Sequence, residues 1–194
     1  MARQIVADAH VAGIHGVTAQ LALGDRDVAL HEVPPGEPAK AIAVLERLWR
    51  SLRVGRDGTI VALGGGCTTD VAGFAASTYM RGIAWAAVPT TLVGQVDAAI
   101  GGKTAVDLPA GKNLVGAFHW PVRVVIDPGT LETLPDAEVR NGMAEVVKTG
   151  LLMGERVWEH SLPELVRRCA AYKAAVCLRD PHDRGPRSEE HTSE

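Results

Sequence analysis

No stretch of uncharged apolar residues in the 194-residue chain is long enough to cross a bilayer. The first residues also lack the charged and apolar regions of a secretory leader, so no membrane partner and a cytoplasmic location are expected. Neither sign of charge dominates: 20 Lys+Arg stand against 23 Asp+Glu, a formal net charge of −3. That excludes a protein held to nucleic acid by its phosphates, since such binding needs an excess of positive charge on one face. Cysteine is scarce, and Cys67, Cys169 and Cys177 show neither CxxC nor zinc-ribbon spacing. They read as reduced thiols in a reducing compartment. Internal repeats and low-complexity segments are absent as well. What remains is 46% hydrophobic and 22% charged, the composition of a globular chain with room for one domain or a domain and a half.

Short apolar strands alternate with amphipathic stretches through the first two thirds. Residues 4–8 read as a buried strand ending in an acid, followed by a polar stretch at 24–27 and a second strand over 28–33 that runs into Pro34-Pro35-Gly36. Ile42, Leu45, Leu48, Trp49 and Leu52 recur at helical steps and predict a helix over 38–52. Residues 59–63 form the next apolar run, and Thr68 or Thr69 is placed to cap a helix reaching about residue 80. Strands are expected at 82–88 and 122–126, and the region 90–116 as a loop system around one helix. From Leu131 onward the pattern is helical, with a last helix over 163–178. The fold class expected is α/β: a parallel-sheet dinucleotide-binding domain followed by the start of an all-helical domain.

Chemistry gathers at strand ends. The run Gly64-Gly65-Gly66-Cys67-Thr68-Thr69-Asp70 opens a helix directly after a strand, where free backbone N–H groups and the helix dipole favour a phosphate. It matches neither the GxGxxG nor the Walker spacing, so the glycines alone fit a tight turn equally well. Thr90 and Thr91 fall at the end of the next strand, at the same carboxyl edge. Lys103 and Lys112 follow glycines in loops, where an ammonium suits phosphate or carboxylate as readily as solvent. Glu145 and Lys148 share one helix face, either as an i,i+3 ion pair or as a ligand-directed acid. Arg81 closes the glycine-run helix, where a cation also suits the dipole.

Taken in order, a series of motifs resembles the 3-dehydroquinate synthase family. Pro35-Gly36-Glu37-Pro38-Ala39-Lys40, the glycine run with Val71-Ala72-Gly73-Phe74, Tyr79-Met80-Arg81-Gly82, Pro89-Thr90-Thr91-Leu92 and Gln95-Val96-Asp97 open it. Gly101-Gly102-Lys103-Thr104, Gly111-Lys112-Asn113-Leu114, Leu131-Glu132-Thr133-Leu134-Pro135 and Met143-Ala144-Glu145-Val146-Val147-Lys148 continue it, so the resemblance runs from about residue 5 to about 185. It implies conversion of 3-deoxy-D-arabino-heptulosonate 7-phosphate to 3-dehydroquinate and phosphate, with NAD as a recycled cofactor and zinc or cobalt as the metal. It further implies that Asp8, Glu37 and Lys40 contact the adenosine half of NAD, and Gly65, Gly66, Cys67 and Asp70 its pyrophosphate. Thr90, Thr91, Thr130, Leu131, Glu132 and Thr133 would line the same cofactor. Asp97, Lys103, Asn113, Lys148 and Lys173 would hold the phosphorylated seven-carbon sugar acid; Lys103 and Lys112 would also reach the cofactor. Arg81 would grip substrate phosphate from the second subunit of a homodimer, and Glu145 would be one metal ligand.

Departures from the family carry expectations of their own. Thr69 stands where glycine is frequent, placing a Cβ near the pyrophosphate, and Asp107 stands where asparagine is common. The family draws two further zinc ligands, both histidines, from beyond the position of Arg187; His182 and His191 lie outside that motif, and Arg187 falls on a substrate arginine only by coincidence. The divisions expected are an incomplete NAD domain over 1–128, the first helices of a catalytic domain over 129–186, and a non-native tail over 187–194 that reads as a translated sequencing adapter. On this reading the chain is a fragment without turnover. The alternatives are another sugar phosphate cyclase, of the 2-deoxy-scyllo-inosose synthase kind, and a non-catalytic dinucleotide-binding module.

Overall fold

The computed structural model describes residues 2–24 and 28–185. The proposed tail with Arg187 and His191, and most of the polar stretch at 24–27, lie outside the described residues. Five parallel strands form one sheet: β1 (Arg3–Asp8), β2 (Leu30–Val33), β3 (Thr59–Gly64), β4 (Ala84–Pro89) and, after the hairpin strands β5 (Lys103–Leu108) and β6 (Gly111–Phe118), β7 (Arg123–Val124). Their spatial order is β2-β1-β3-β4-β7. The central strands are near-continuous apolar runs because helices cover both faces of a parallel sheet, so both side-chain directions are buried. In β3 every residue from Ile60 to Gly64 is buried.

The helices are α1 (Ala9–Ala22), α2 (Ile42–Ser51), α3 (Gly66–Thr78), α4 (Asp136–Met153) and α5 (Leu162–Arg179). One sheet face packs Val6, Ile60, Ala62 and Trp85 against Leu45, Leu48, Val71 and Ala75 of α2 and α3. The other packs Ile5, Ala7, Val61 and Leu63 against Val11 and Ala12 of α1. A third cluster joins Leu92 and Val96 to Val146 of α4 and Leu165, Val166 and Cys169 of α5. No helix among the described residues is long and apolar enough to cross a membrane.

Four elements differ from the sequence expectation. Helix α1 is absent from it, because Ile14, Val17 and Leu21 lie on the exposed side while Val11, Ala12 and Gly16 face the sheet, which blurs the periodicity. The stretch 38–52 is broken into a 3-10 turn, Glu37–Lys40, and α2, with extended Ala41 between them. Helix α3 starts at Gly66 with Gly65 as its cap residue and no side-chain cap, so neither Thr68 nor Thr69 caps it. The supposed loop system contains the antiparallel pair β5 and β6, whose register couples Lys103 with Phe118 and Thr104 with Ala117. Its turn, Pro109-Ala110, carries none of the Asn-Gly or Asp-Gly chemistry that announces a hairpin.

Candidate functional site: a glycine cradle and an anion pocket

Strand β3 delivers the glycine run to the carboxyl edge of the sheet, the edge at which open parallel sheets take ligands. A Cβ on Gly65 would lie 2.9 Å from Thr91 Cγ2, and one on Gly66 3.2 Å from Ala98 Cβ. The glycines therefore let the segment after β4 close against the start of α3 and leave the first-turn N–H groups uncapped by any side chain. Thr90 N–H donates to the Gly64 carbonyl at 3.0 Å, and the Thr91 hydroxyl accepts from Gly94 N–H at 3.1 Å. The Thr90 hydroxyl is buried with no hydrogen-bond partner among the described residues. Thr69, 2% exposed, turns its hydroxyl back to donate to the Gly66 carbonyl at 2.9 Å.

Beside the cradle, Lys40 is buried among acids. Its Nζ donates to Asp70 Oδ2 at 2.9 Å and to Asn113 Oδ1, with Glu37 and Asp107 each at 3.8 Å. Burial works against the ammonium, but Asp70, Asp107 and Glu37 outweigh it and raise the Lys40 pKa. Asp70 is pushed up to about 6 by its own burial, against the pull of Lys40. Asp107 is held low, chiefly by the backbone N–H of Asn113. Burial, with Glu37 next, pushes the Cys67 thiol up to about 11; its Sγ lies 3.6 Å from Glu37 Oε2. Lys112 reaches Glu37 from the solvent side at 3.4 Å.

A cavity of about 580 Å³ opens between α3, the hairpin and α5, and Asp70, Asp97, Lys103, Asn113 and Lys173 supply its charged and polar lining. Lys173, 5% exposed, pairs with Asp97 at 2.7 Å, and Lys103 pairs with Asp183. Four of the five expected substrate residues thus share one pocket; Lys148 is the exception, pairing with Glu145 on α4 at 3.4 Å. Thr130 is tied to the end of β4 through Gln95, whose Nε2 donates to its hydroxyl at 3.0 Å and to the Pro89 and Asp127 carbonyls. Leu131 is committed to the helical core, 6% exposed, while Glu132 and Thr133 are exposed. Asp8 has a local task as well, since its carboxylate caps α1 through Val11 N–H at 2.9 Å.

Arg81 is not brought to this pocket. It follows the far end of α3, about 20 Å from the cradle at 1.5 Å per residue, and is exposed. Met80 and Arg81 both hold positive φ, 51° and 71°, a strained pair of the kind that collects at functional surfaces. Around Glu145 no group of three or more His, Cys, Asp or Glu side chains assembles among the described residues. Two residues of the site carried no role in the sequence reading. Gln95 appeared only inside a motif, and Asp183 follows α5 in a segment with no periodic or motif signal.

The fold and pocket define an α/β dinucleotide-binding module of the sugar phosphate cyclase kind. A solved 2-deoxy-scyllo-inosose synthase, in complex with carbaglucose-6-phosphate, NAD+ and Co2+, superposes with a TM-score of 0.86 at 29% identity, covering 97% of this chain and 57% of that one. The 2-epi-5-epi-valiolone synthase of Streptomyces hygroscopicus, with NAD+ and Zn2+ bound, gives 0.80 at 30% identity over 94% and 57%. Residues 30–141 match the family model described as 3-dehydroquinate synthase N-terminal, and the chain belongs to that family. It is 43% identical to the 3-dehydroquinate synthase of Latilactobacillus sakei over 88% of its own length and 52% of that protein. With the Mycobacterium leprae enzyme it shares 46% identity over 77% and 46%. The chain thus spans about half the length of these curated relatives.

Proposed function

We propose that the chain carries the NAD-binding module and one wall of the substrate pocket of a 3-dehydroquinate synthase. That enzyme converts 3-deoxy-D-arabino-heptulosonate 7-phosphate to 3-dehydroquinate and phosphate, in aromatic amino acid biosynthesis. The observation that carries this reading is the adjacency of an uncapped glycine-opened helix to a pocket holding Lys103, Lys173 and Asn113. A pyrophosphate fits the first requirement and a phosphorylated sugar acid the second. NAD fits the residues present: Gly65, Gly66 and Cys67 offer backbone donors, and the Thr90 hydroxyl, buried and without a partner among the described residues, would serve the nicotinamide half. Glu37 and Asp8 would take the adenosine half, and Lys112 would bridge cofactor and substrate. When bound, NAD supplies reversible hydride exchange with a ring hydroxyl carbon.

The chain's own residues then do three things. Lys103 and Lys173 neutralise substrate anions, each giving up an intramolecular carboxylate, Asp183 or Asp97, to do so. Asp97, released from Lys173, accepts a hydroxyl hydrogen bond from the ring, and Asn113 orients it. Among the described residues Glu145 stands as a single ligand with Lys148 beside it, short of the three protein ligands that a catalytic zinc site needs. Residues 1–128 act as the cofactor module and 129–186 as helices of the substrate side. Arg81, remote and exposed, serves a second copy's pocket in a homodimer. Three cysteines that form no disulfide among the described residues accord with a cytoplasmic location.

Calorimetric titration with NAD is expected to show one site per chain, weakened about tenfold or more in Gly65→Ala. Absence of binding to the unaltered chain would falsify the assignment. The fold match to 2-deoxy-scyllo-inosose synthase favours a second reading, in which the pocket takes a six-carbon sugar phosphate without a carboxylate. Competition between the two sugar phosphates for the NAD-loaded chain separates them.

A further inference from the structure

Lys40 sits where three segments distant in sequence meet. It closes the 3-10 turn Glu37–Lys40, donates to Asp70 in α3, and donates to Asn113 in β6. A backbone link runs beside it: Ala41 forms an isolated parallel bridge with Asp107. The register of β5 against β6 shifts between Val106 and Leu108, which places Asp107 on the irregularity, and such bulges re-aim a side chain. Here Asp107 Oδ1 comes within 3.8 Å of Lys40 Nζ and accepts Asn113 N–H at 2.8 Å. Asn113 itself holds φ 57°, a left-handed conformation that asparagine tolerates. The end of the hairpin is therefore tied to the cradle helix through one side chain that is only 3% exposed.

Charge makes that tie consequential. Glu37, Asp70 and Asp107 surround one ammonium, with Lys112 approaching Glu37 from outside. Without Lys40, three carboxylates would face one another beside a site for two anionic ligands, and the hairpin end would keep only the Ala41–Asp107 bridge and its apolar packing.

We infer that Lys40 is a positioning residue that couples the two half-sites, holding Asn113 and the hairpin end against α3 so that filling the glycine cradle and ordering the pocket wall are linked. The inference deepens the function proposed above and rests on it for the identity of the cradle ligand. A lysine that merely touched the adenosine half would leave the ligand-free hairpin unchanged when replaced. A coupling residue does not, and its effect is reciprocal between the sites.

The test is amide hydrogen exchange of residues 107–114 by mass spectrometry on the whole chain. Without ligand, Lys40→Met is expected to speed exchange there about tenfold while β1 and β3 keep their protection; unchanged exchange at 107–114 overturns the inference. At NAD concentrations that saturate each protein, the hairpin of the unaltered chain is expected to slow further, and this extra protection is expected to vanish in Lys40→Met. Asn113→Ala cuts the tie from its exposed end and leaves Lys40 on Asp70, so it guards against a collapsed cradle as the cause. NAD-dependent protection that persists in Asn113→Ala overturns the coupling. If calorimetry shows no NAD binding to the unaltered chain, the functional reading and the coupling to NAD fall together, and the ligand-free comparison alone decides whether Lys40 holds the hairpin.

Discussion

Asp70 lies between two demands, since it is half-buried in the first turns of the cradle helix and also partners Lys40. Burial wins, lifting its pKa from 3.8 to about 6. The native state then binds more protons than the unfolded chain between those two values, so Asp70 makes stability fall as pH rises from about 4 to about 6. Asp70→Asn removes this titration. Urea unfolding at pH 4 and pH 6.5 is expected to show the pH-dependent loss shrinking by on the order of 2 kcal/mol in the variant. An undiminished slope would show that the acid titrates normally. The same proton favours an anionic ligand, so NAD affinity is expected to weaken from pH 5.5 to pH 7.5 in the unaltered chain and to stay level in Asp70→Asn. Cys67 carries a related expectation. With its thiol pushed up to about 11, the thiolate fraction at pH 8 is about a hundredfold below that of an ordinary cysteine. Iodoacetamide labelling of Cys67, followed by peptide mass spectrometry, is expected to be slowed to match; labelling at the rate of a free thiol contradicts that environment.

At the level of elements, the start of α3 is the sensitive point. An alanine methyl at position 65 would press on Thr91 Cγ2 at 2.9 Å, and Thr91 is held by Gly94 N–H. Gly65→Ala is therefore expected to cost about 1–3 kcal/mol of stability and to weaken NAD binding about tenfold or more by displacing amide donors. Gly13 is the contrasting case: it lies inside α1, and a methyl added there would meet nothing within 4 Å. Gly13→Ala is expected to stabilise by about 0.5–1 kcal/mol through helix propensity alone, and thermal melts of the two variants should move in opposite directions. The strands β1 and β3 are legible from sequence because burial on both faces makes them near-continuous apolar runs, and β4 because its residues are all apolar although their burial alternates. Helix α1 is not, since three of its four large apolar residues face outward, and the hairpin is not, since Pro109-Ala110 lacks turn chemistry. The site divides the same way. Glycines, threonines and lysines at strand ends announce an anion cradle, whereas the pairing of Lys40 with Asn113 and of Lys103 with Asp183 depends on contacts across 73 and 80 positions that no local pattern encodes.

Across the whole molecule, the sheet and the helical segment meet on the residues that follow β4. Leu92 and Val96 belong to the same cluster as Val146, Leu165 and Cys169, and Gly142 of α4 approaches Leu92 so closely that a methyl there would sit 2.5 Å from Leu92 Cβ. The Asp97–Lys173 pair lies over this junction, joining the turn Gly94–Ala98 to α5. The two partners are unequally buried, with side-chain exposures of 23% for Asp97 and 7% for Lys173. Removing the acid takes the nearest carboxylate from the more buried charge, whereas removing the lysine leaves a carboxylate that water partly reaches. Asp97→Ala is therefore expected to cost about 3–5 kcal/mol and Lys173→Met about 1–2 kcal/mol, measured by denaturant unfolding of each variant. The double variant should recover part of the Asp97→Ala loss, because no ammonium is then left buried beside a missing partner. If Lys173→Met proves the costlier change, the pair is hydrated at the lysine and the junction is held by its apolar cluster instead. The two variants should move the pocket's affinity for inorganic phosphate in opposite directions, Lys173→Met weakening it by removing a cation and Asp97→Ala strengthening it by removing the carboxylate that competes for Lys173.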